Sequence, residues 1–431
     1  GTTFSNISTV TSDDIGGQIP QRDATVTVLY ADMNGNGSSD VVWMTAEGDV
    51  TYLELFPVRP NQLSRIDNGL GQVTQVQYGT SVSHMARDGG WQTWEHRLPY
   101  PMLVVDQVDS YDLLTDAHEV TQYRYHDGFY DGIEKQFRGY ARVEVHLLGD
   151  DTQQPGLTQY QFDVGAQDPY THGLMLSQQV WSDNTPLYEQ TSSYGPCPLA
   201  EIPEGTQLPV KYICQQAMHK VLKEGDDVSQ WATITSHMEY DGYGNVVLSS
   251  QLGVTDIGGQ GCAACQRDQG EFGAPCGAQC VGDELYTQTD YVSPDNNSSG
   301  RWILRAPYRQ VTYGRPGSAL QTETLSYYDE GDTLFEGMAL GHLDQGKLTR
   351  VTHKLYPDQQ ARITSVRNRF DAHGNVIETL DANANAEGQT HRRQYRYDPD
   401  NLRVVQADIL LEDDQGSPYR LRREMRYEPV F

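Results

Sequence analysis

Residues 66–145 carry the pattern that most constrains the fold of this chain. They contain three strand-like segments, which read IDNGLGQVTQVQYGTS, LPYPMLVVDQVDSYD and YRYHDGFYDGIEKQFRGYARVEV and are joined by turns rich in glycine and aspartate. Apolar and polar residues alternate along these segments, and tyrosine recurs at strand positions, which is typical of β-structure. The 27 tyrosines and 41 glycines of the 431-residue chain extend this composition to the whole molecule. The sequence therefore predicts an all-β protein.

The balance of charge excludes several classes of partner. The chain has 31 basic and 59 acidic residues, which gives a formal net charge of −28. Nucleic acids and anionic lipids are bound through lysine and arginine, so we expect neither as a partner.

No stretch approaches the ~20 apolar residues that span a bilayer, and the N-terminal GTTFSNISTV lacks the basic and apolar segments of a signal peptide. A start without methionine and an end inside a strand-like run, MRYEPVF, indicate a piece of a longer protein.

An oxygen-rich loop lies between the first two of three short strands predicted in residues 23–56. Loop positions 1, 3, 5, 7 and 9 are Asp32, Asn34, Asn36, Ser38 and Asp40. Calcium takes several oxygen ligands from one tight loop, and the pattern resembles the calcium-loop repeat of β-propellers. The candidate ligands are the side chains of the Asp and Asn residues and the carbonyl of Ser38. With two carboxylates, we expect a dissociation constant on the order of 10⁻⁴ M. The alternative is an Asx-rich turn without an ion.

Six cysteines raise a question of pairing. Four of them lie in the insertion 255–284 as a Cys-x2-Cys and a Cys-x3-Cys pair, namely Cys262, Cys265, Cys276 and Cys280. Their spacing is compatible with two disulfides, with a four-thiolate zinc site and with reduced cysteines, and these alternatives stay open. Cys197 and Cys214 would close a short loop that contains three prolines, which favours the disulfide interpretation.

Three turns in the second half of the chain share one form. An aromatic residue and an aspartate occur together at Tyr240-Asp241, Phe370-Asp371 and Tyr397-Asp398, each followed by glycine or asparagine and then an aliphatic residue. Aspartate can accept hydrogen bonds from the turn backbone, and glycine and asparagine tolerate positive φ angles. These segments therefore predict hairpins, and Tyr327-Tyr328-Asp329 reads as a degenerate copy.

The sequence of residues 66–145 resembles the middle region of the B component of bacterial insecticidal toxin complexes. This region is shared with the Salmonella virulence plasmid B family. The aromatic–aspartate turns resemble the tyrosine–aspartate repeats of Rhs proteins, toxin-complex B and C components and teneurins. The resemblance implies the end of a calcium-loop β-propeller in residues 1–60 and a β-rich middle domain in residues 61–150. It also implies the start of a tyrosine–aspartate-repeat β-sheet shell in residues 151–431.

The function implied by this resemblance is encapsulation and delivery of a toxic C-terminal cargo. The implied partners are a C-type cargo protein and a channel-forming A-type component, and the implied location is extracellular, with assembly in the bacterial cytoplasm first. Calcium is the expected cofactor, and zinc is the alternative at the cysteines. The sequence contains no Gly-x-Ser-x-Gly, His-Glu-x-x-His, P-loop or dinucleotide motif, so we expect no enzyme activity. A teneurin-like cell-surface adhesion protein and a carbohydrate-active enzyme are the competing interpretations.

Overall fold

A computed structural model describes most of the chain and separates it into two compact units. The described residues are 25–57, 59–90, 93–149, 153–200, 211–223, 227–258, 284–297, 300–314, 317–331, 333–356, 362–384, 391–413 and 415–427. The first unit comprises Gly1–Thr191 with Leu222–Asp227, and the second comprises Ser192–Val221 with Val228–Phe431.

The first unit contains a three-stranded sheet and a longer ladder of antiparallel strands. Its elements are β1 (Val26–Ala31), β2 (Asp40–Thr45), β3 (Val50–Leu53), β4 (Arg65–Asp67), β5 (Gln72–Thr80), α1 (Ser81–Arg87), β6 (Leu103–Asp112), β7 (Ala117–Asp131), β8 (Gln136–Leu148), β9 (Gly156–Asp163), β10 (Leu174–Ser182) and β11 (Thr185–Pro196), whose last residues enter the second unit. The small sheet has the order β1-β2-β3. From β4 to β11 every strand pairs with the next one along the chain. Apolar and polar side chains alternate along these strands, and short Asx turns join several of them. Each such turn reverses the chain, so that the next strand pairs with the one before it.

The second unit continues the same construction. Its strands are β12 (Ile213–Leu222), β13 (Ala232–Tyr240), β14 (Val246–Ile257), β15 (Leu285–Tyr291), β16 (Pro307–Tyr313), β17 (Leu320–Tyr328), β18 (Leu348–Leu355), β19 (Ile363–Phe370), β20 (Val376–Asp381), β21 (Arg392–Tyr397), β22 (Val404–Glu412) and β23 (Pro418–Glu424). From β13 to β23 each strand pairs antiparallel with its successor. Short 3-10 turns occur at Pro169–Thr171, Val228–Gln230 and Pro294–Asn296. The all-β prediction is confirmed.

The helix α1 was not expected from the sequence. It follows β5 directly, and the hydroxyl of Ser83 donates to the carbonyl of Thr80 at 2.7 Å in its first turn. Ser81 anchors the helix, because its Oγ accepts from the backbone N–H of Met102 at 2.9 Å and its own N–H donates to the Met102 carbonyl at 2.8 Å. Its seven residues carry no apolar stripe long enough to predict a helix by periodicity.

Buried apolar side chains among the described residues gather into two small clusters, one in each unit. The first unit packs Trp94, Val104 and Tyr140 together, with the Trp94 and Tyr140 rings edge to face at 6.2 Å. The cluster in the second unit consists of Val292, Ala306, Tyr328 and Leu343. Most other strand residues are only partly buried, so hydrogen bonds and ion pairs carry a large share of the specificity of the ladders.

The three-domain division at residues 60 and 150 stays a prediction. The boundary near residue 150 is not marked by a change of sheet, since β8 pairs with β9 and β9 pairs with β10 in one ladder. The two compact units instead meet in sequence at Thr191 and Ser192, within β11.

Candidate calcium loop and tyrosine–aspartate turns

The loop at residues 32–40 joins β1 to β2 and folds around the carboxylate of Asp32. Its Oδ1 atom accepts from the backbone N–H groups of Gly35 (2.7 Å) and Asn36 (3.1 Å), and its Oδ2 atom accepts from that of Gly37 (2.8 Å). Aspartate favours such turns because its short side chain reaches backbone donors a few residues ahead. Gly35 and Gly37 have φ angles of 74° and 82°, which glycine adopts at little cost. The oxygen-rich loop is therefore a turn closed by Asp32.

Two buried polar atoms in the same loop lack hydrogen-bond partners. Asp40 is fully buried, and its Oδ2 atom accepts from the backbone N–H of Met33 at 2.9 Å, whereas its Oδ1 atom has no partner. The buried hydroxyl oxygen of Ser38 has none either. A buried carboxylate oxygen without a donor is destabilising unless a cation or an ordered water contacts it. The chemistry around Asp40 therefore fits a bound cation.

The two asparagines of the loop are held by a residue that sequence reasoning missed. Asn34 and Asn36 donate from their side-chain amides to Oε1 of Glu54, at 2.6 and 2.9 Å. Their own side-chain oxygens accept from backbone N–H groups, those of Asn36 (3.1 Å) and Ser38 (2.8 Å) respectively. Glu54 lies just beyond β3, and only the pairing of β2 with β3 brings it to the loop. Its position adds a third carboxylate to this region.

The donor set of the loop limits how a cation could be held. Within the described ranges, no group of three or more His, Cys, Asp or Glu side chains is placed to hold a metal ion together. A cation here would therefore use backbone or amide oxygens in addition to the carboxylates of Asp32 and Asp40. The assignment of Asp32, Asn34, Asn36, Ser38 and Asp40 as calcium ligands stays a prediction.

The loop packs directly on the start of helix α1. The Thr80 hydroxyl donates to the carbonyl of Gly35 at 2.7 Å. A Cβ atom at Gly35 would lie 2.8 Å from a methyl carbon of Val82, so any larger residue would displace the loop or the helix. The geometry of the loop is thus coupled to the β5–β6 connection through α1.

The predicted aromatic–aspartate turns form as hairpins with a common hydrogen-bond pattern. Asp241 accepts from the backbone N–H groups of Tyr243 and Asn245, both at 2.9 Å, and from the Asn245 side-chain amide at 2.8 Å. Asp371 makes the equivalent bonds to His373 and Asn375. The side-chain amide of the asparagine also donates to a distant backbone carbonyl, that of Leu304 for Asn245 and that of Asn401 for Asn375. The Asp371 turn is therefore linked to the Asp398 turn, and the Asp241 turn to the connection between β15 and β16.

The degenerate copy at Asp329 has the most extensive of these contacts. Asp329 is 6% exposed, and its Oδ2 atom accepts from the backbone N–H groups of Asp344, Gln345 and Gly346 at 2.6, 2.9 and 3.1 Å. Its Oδ1 atom accepts from the N–H of Lys347 at 3.0 Å. One carboxylate thus satisfies four successive backbone donors at the end of the connection from β17 to β18.

Tyrosine hydroxyls near the ends of strands connect neighbouring strands. Five of them in the described part of the second unit each donate to a backbone carbonyl at or near the start of the preceding strand, namely Tyr240 to Gln215, Tyr291 to Val246, Tyr328 to Pro307, Tyr397 to Val376 and Tyr427 to Val404. The distances are 2.8 to 3.3 Å. Burial raises the pKa of Tyr328 to about 12, so this hydroxyl remains a donor at neutral pH. Each tyrosine therefore ties its own hairpin to the one before it.

Phe370 is the exception, because phenylalanine has no hydroxyl. The carbonyl that a tyrosine would reach there belongs to Leu348, the first residue of β18. The side-chain amide of Asn368 donates to this carbonyl instead, at 3.1 Å. The polar contact is thus kept although the aromatic residue has changed.

We expect the double variant Asn368→Ala/Phe370→Tyr to recover stability that Asn368→Ala alone loses. The single change should lower the free energy of unfolding by about 1 kcal/mol, the usual net value of one hydrogen bond. In the double variant, the new hydroxyl would donate a hydrogen bond to the carbonyl of Leu348, which Asn368→Ala leaves free. Urea unfolding of the two variants and of Phe370→Tyr alone provides the double-mutant cycle. Additive effects of the two changes would contradict the substitution of one contact for the other.

Ion pairs occupy one face of the second unit in register. Arg369, Glu378, Gln394, Asp408 and Arg422 lie opposite one another on five successive strands, β19 to β23. Glu378 accepts from Arg369 at 3.3 Å and from Gln394 at 3.1 Å, and Asp408 accepts from Arg422 at 2.8 Å. Both acidic side chains are buried. This row binds the strands together where many proteins would place aliphatic side chains.

Glu323 on β17 is a further buried acid, and it should make the stability of the second unit sensitive to acid. Burial opposes its ionisation, but hydrogen bonds from Arg309 (2.7 Å) and Arg362 outweigh this effect and lower its pKa below the ordinary value of 4.5. A carboxyl group whose pKa is lowered by folding adds stability at pH values above its unfolded-state pKa. This stability is lost as the pH falls through the folded-state pKa. We expect the unfolding midpoint in urea to drop between about pH 5 and pH 3, and Glu323→Gln to flatten that drop. An unchanged pH profile in the variant would rule out this role.

Among the residues that the structure describes, one pair of cysteines lies at disulfide distance. The sulfur atoms of Cys197 and Cys214 are bonded, with Cα atoms 5.3 Å apart, and the backbone N–H of Cys197 donates to the carbonyl of Tyr212 at 2.8 Å. The four cysteines predicted as disulfides or zinc ligands, Cys262, Cys265, Cys276 and Cys280, lie outside the described residues.

These features define the class of protein, an antiparallel sheet protein built from tyrosine–aspartate hairpins. Residues 8–166 match the family described as the insecticide toxin TcdB middle/N-terminal region, which confirms the predicted resemblance to the B component of insecticidal toxin complexes. No match was found among curated protein sequences. In the part of the chain that the structure describes, no helix has the length and apolarity to cross a bilayer.

Solved structures of toxin complexes share the fold. The chain is similar to the crystal structure of TcdB2-TccC3-Cdc42, with a TM-score of 0.60 and 13% identity over 93% of this chain and 25% of that chain. The crystal structure of TcdB2-TccC3 gives a TM-score of 0.58 at 13% identity, covering 93% and 26% of the two chains. The Photorhabdus luminescens Tc holotoxin pore gives 0.56 at 13% identity, with the same coverages of 93% and 26%. The chain thus spans about a quarter of the length of these chains, and the likeness concerns the fold.

Proposed function

We propose that this chain is a non-enzymatic wall segment of a toxin-complex shell that encloses a toxic C-terminal cargo and helps to deliver it. The observation that supports this function best is the set of sequential strands tied to one another by tyrosine hydroxyls. A sheet stabilised mainly between neighbouring strands does not need a second packed layer on either face. Such a sheet can act as a wall, and continuous pairing leaves few strand edges exposed to aggregation.

The similar solved structures point to the partners. TcdB2 occurs with TccC3 in the crystal structures, and the third structure is a Tc holotoxin pore. We infer by analogy a C-type cargo protein and a channel-forming A-type component as the partners of this chain. An extracellular site of action, after assembly in the bacterial cytoplasm, follows from the same analogy.

Protease protection tests the shell function. The complete gene product that contains this chain is co-expressed with its neighbouring reading frame and treated with protease before and after mild denaturation. We expect a C-terminal polypeptide to survive while the shell is intact and to be digested after denaturation. Immediate digestion of this polypeptide, or its absence, would reject encapsulation and favour the surface-adhesion alternative.

Calcium at residues 32–40 is the second part of the proposal. It is supported by the unpartnered Oδ1 atom of buried Asp40 and by the carboxylates of Asp32 and Glu54 nearby. A bound calcium ion would neutralise these negative charges and fix the loop against α1. Its role would be structural, because the described contacts of the loop lead to helix α1.

We expect calcium to stabilise the first unit against thermal unfolding. At ~10 mM calcium, about 100 times a dissociation constant of ~10⁻⁴ M, linkage predicts about 2.7 kcal/mol. Calorimetry with calcium, magnesium or EDTA measures the effect. Asp40→Asn should abolish it, and Asp49→Asn, at the exposed β2–β3 turn, is the matched control that should retain it. A melting curve insensitive to calcium in the unsubstituted chain would identify the loop as an ion-free Asx turn.

A further inference from the structure

A polar cleft of about 290 Å³ lies in the first unit where β5, β6, β7 and α1 come together. Its lining includes Gln77, Arg87, Asp106, Gln107, Gln122 and Arg124. The volume is near the lower end of the range for small-molecule sites, ~300 Å³. The polar row on β19 to β23 binds strands together, whereas these groups line a cleft.

The amides in this cleft are oriented by a buried carboxylate. Asp109 is 5% exposed, and its Oδ2 atom accepts from Nε2 of Gln77 at 3.2 Å and of Gln107 at 2.9 Å. Nε2 of Gln122 in turn donates to Oε1 of Gln107 at 2.9 Å. A carboxylate only accepts hydrogen bonds, so it determines which end of each amide faces the network. The carbonyl oxygens of Gln77 and Gln122 therefore remain as acceptors with a fixed orientation.

The other side of the cleft supplies donors and a further acceptor. His84, which is 1% exposed, contacts Oδ1 of Asp106 through Nε2 at 2.6 Å and the guanidinium of Arg87 through Nδ1 at 3.1 Å. The buried ring thus holds both groups in place. A Cβ atom at Gly79 would collide with the Asp106 carboxylate, so glycine at this position leaves room for it. Arg124, which is exposed, adds a second guanidinium.

An aromatic surface lies next to this polar network. The rings of Tyr111 and His118 are stacked, with centroids 4.2 Å apart and planes 6° apart. Nε2 of His118 is 3.1 Å from Oδ1 of Asp109, which links the stacked pair to the same buried carboxylate. The cleft itself therefore combines oriented acceptors and planar donors, and the stacked pair lies beside it, joined to it through Asp109.

We propose that this cleft binds a neutral saccharide of one or two rings. Each sugar hydroxyl both donates and accepts, so adjacent hydroxyls are matched by carbonyl or carboxylate acceptors beside guanidinium donors. The C–H face of a second sugar ring suits the stacked Tyr111 and His118 pair beside the cleft. An anion would pair with Arg87 and Arg124, but Asp106 would repel it. It would also have no donors for the side-chain oxygens of the glutamines. Saccharide binding at this cleft is independent of the shell function proposed above.

Ligand-observed NMR and calorimetry on the 431-residue chain test this proposal. The probes are glucose, galactose, N-acetylglucosamine, lactose and cellobiose, with inorganic phosphate as the anionic comparison. We expect saturable binding of at least one neutral sugar, and Gln122→Ala and Arg124→Ala should each weaken it at least tenfold, a change of about 1.4 kcal/mol. Arg65→Ala, at an exposed arginine on β4, should leave it unchanged.

The outcomes separate the alternatives. Circular dichroism and thermal melting establish that each variant is folded before its binding is compared. Saturable binding that Gln122→Ala and Arg124→Ala both weaken supports the proposal. Binding of phosphate without any sugar, sugar binding insensitive to both substitutions, or no saturable binding of any probe overturns it. Arg124→Ala is the safer of the two variants, because the exposed side chain lies outside the Asp109 network.

Discussion

Replacing Asp329 with alanine should lower the free energy of unfolding of the second unit by about 3–5 kcal/mol. The substitution leaves the four backbone N–H groups of residues 344–347 without their acceptor. Hydrogen bonds to a charged group contribute about 1.5–3 kcal/mol each, and water can replace only some of them at a site that is 6% exposed. Asp329 also has a φ angle of 53°, which alanine adopts less readily than aspartate.

Urea unfolding of the unsubstituted chain and of the variants measures this loss. Asp329→Asn should be intermediate, because asparagine tolerates positive φ and keeps one acceptor oxygen but brings an NH₂ group toward backbone donors. Asp400→Ala, at an exposed position of the turn after β21, is the control and should change stability by less than about 0.5 kcal/mol. A loss below about 1 kcal/mol in Asp329→Ala would show that water or another group replaces the carboxylate.

Replacing Leu343 with alanine should cost about 3–4 kcal/mol. Leu343 has no exposed surface and packs in the cluster with Val292, Ala306 and Tyr328. Few other apolar residues in the described part of the second unit are fully buried, so little surrounding core is available to collapse into the cavity. The measurement is again urea unfolding, with Leu340→Ala, at a partly exposed leucine three residues earlier, as the control.

The two substitutions also test whether one segment is stabilised at two points. Asp329 binds residues 344–347, and Leu343 is buried immediately before them. Residues that stabilise the same segment should show non-additive losses, since the first loss already frees part of it. Strictly additive losses in the double variant would indicate that the turn and the cluster are independent.

The hairpins could be predicted from sequence because their signal is local. Asp241, Gly244 and Asn245 lie within five residues, and each one performs in the structure the turn role that its chemistry suggests. The same applies to Asp371, and the three strands around residues 32–40 also form as predicted. Periodicity and turn chemistry are therefore sufficient for most strands of this chain.

The contacts that sequence reasoning missed depend on residues far apart in the chain. Glu54 reaches the loop at residues 32–40 only through strand pairing, and Asn368 replaces a tyrosine hydroxyl at Leu348 only because β18 and β19 are neighbours. Nothing in the sequence indicated that His84 would be buried, because it lies on a helix of only seven residues, which is too short to show a helical periodicity. A single sequence specifies such contacts only once the register of the strands is known.

The tyrosine contacts have a consequence for the order in which the chain folds. Pairing between consecutive strands joins residues that are close in sequence, and such topologies fold quickly because each loop closure costs little entropy. A tyrosine hydroxyl such as that of Tyr397 finds its acceptor, Val376, only after the earlier strand is in place. We therefore expect growth from the N-terminal side, one hairpin at a time, during synthesis on the ribosome. A sheet assembled in this direction is complete before any polypeptide that is translated after it has emerged.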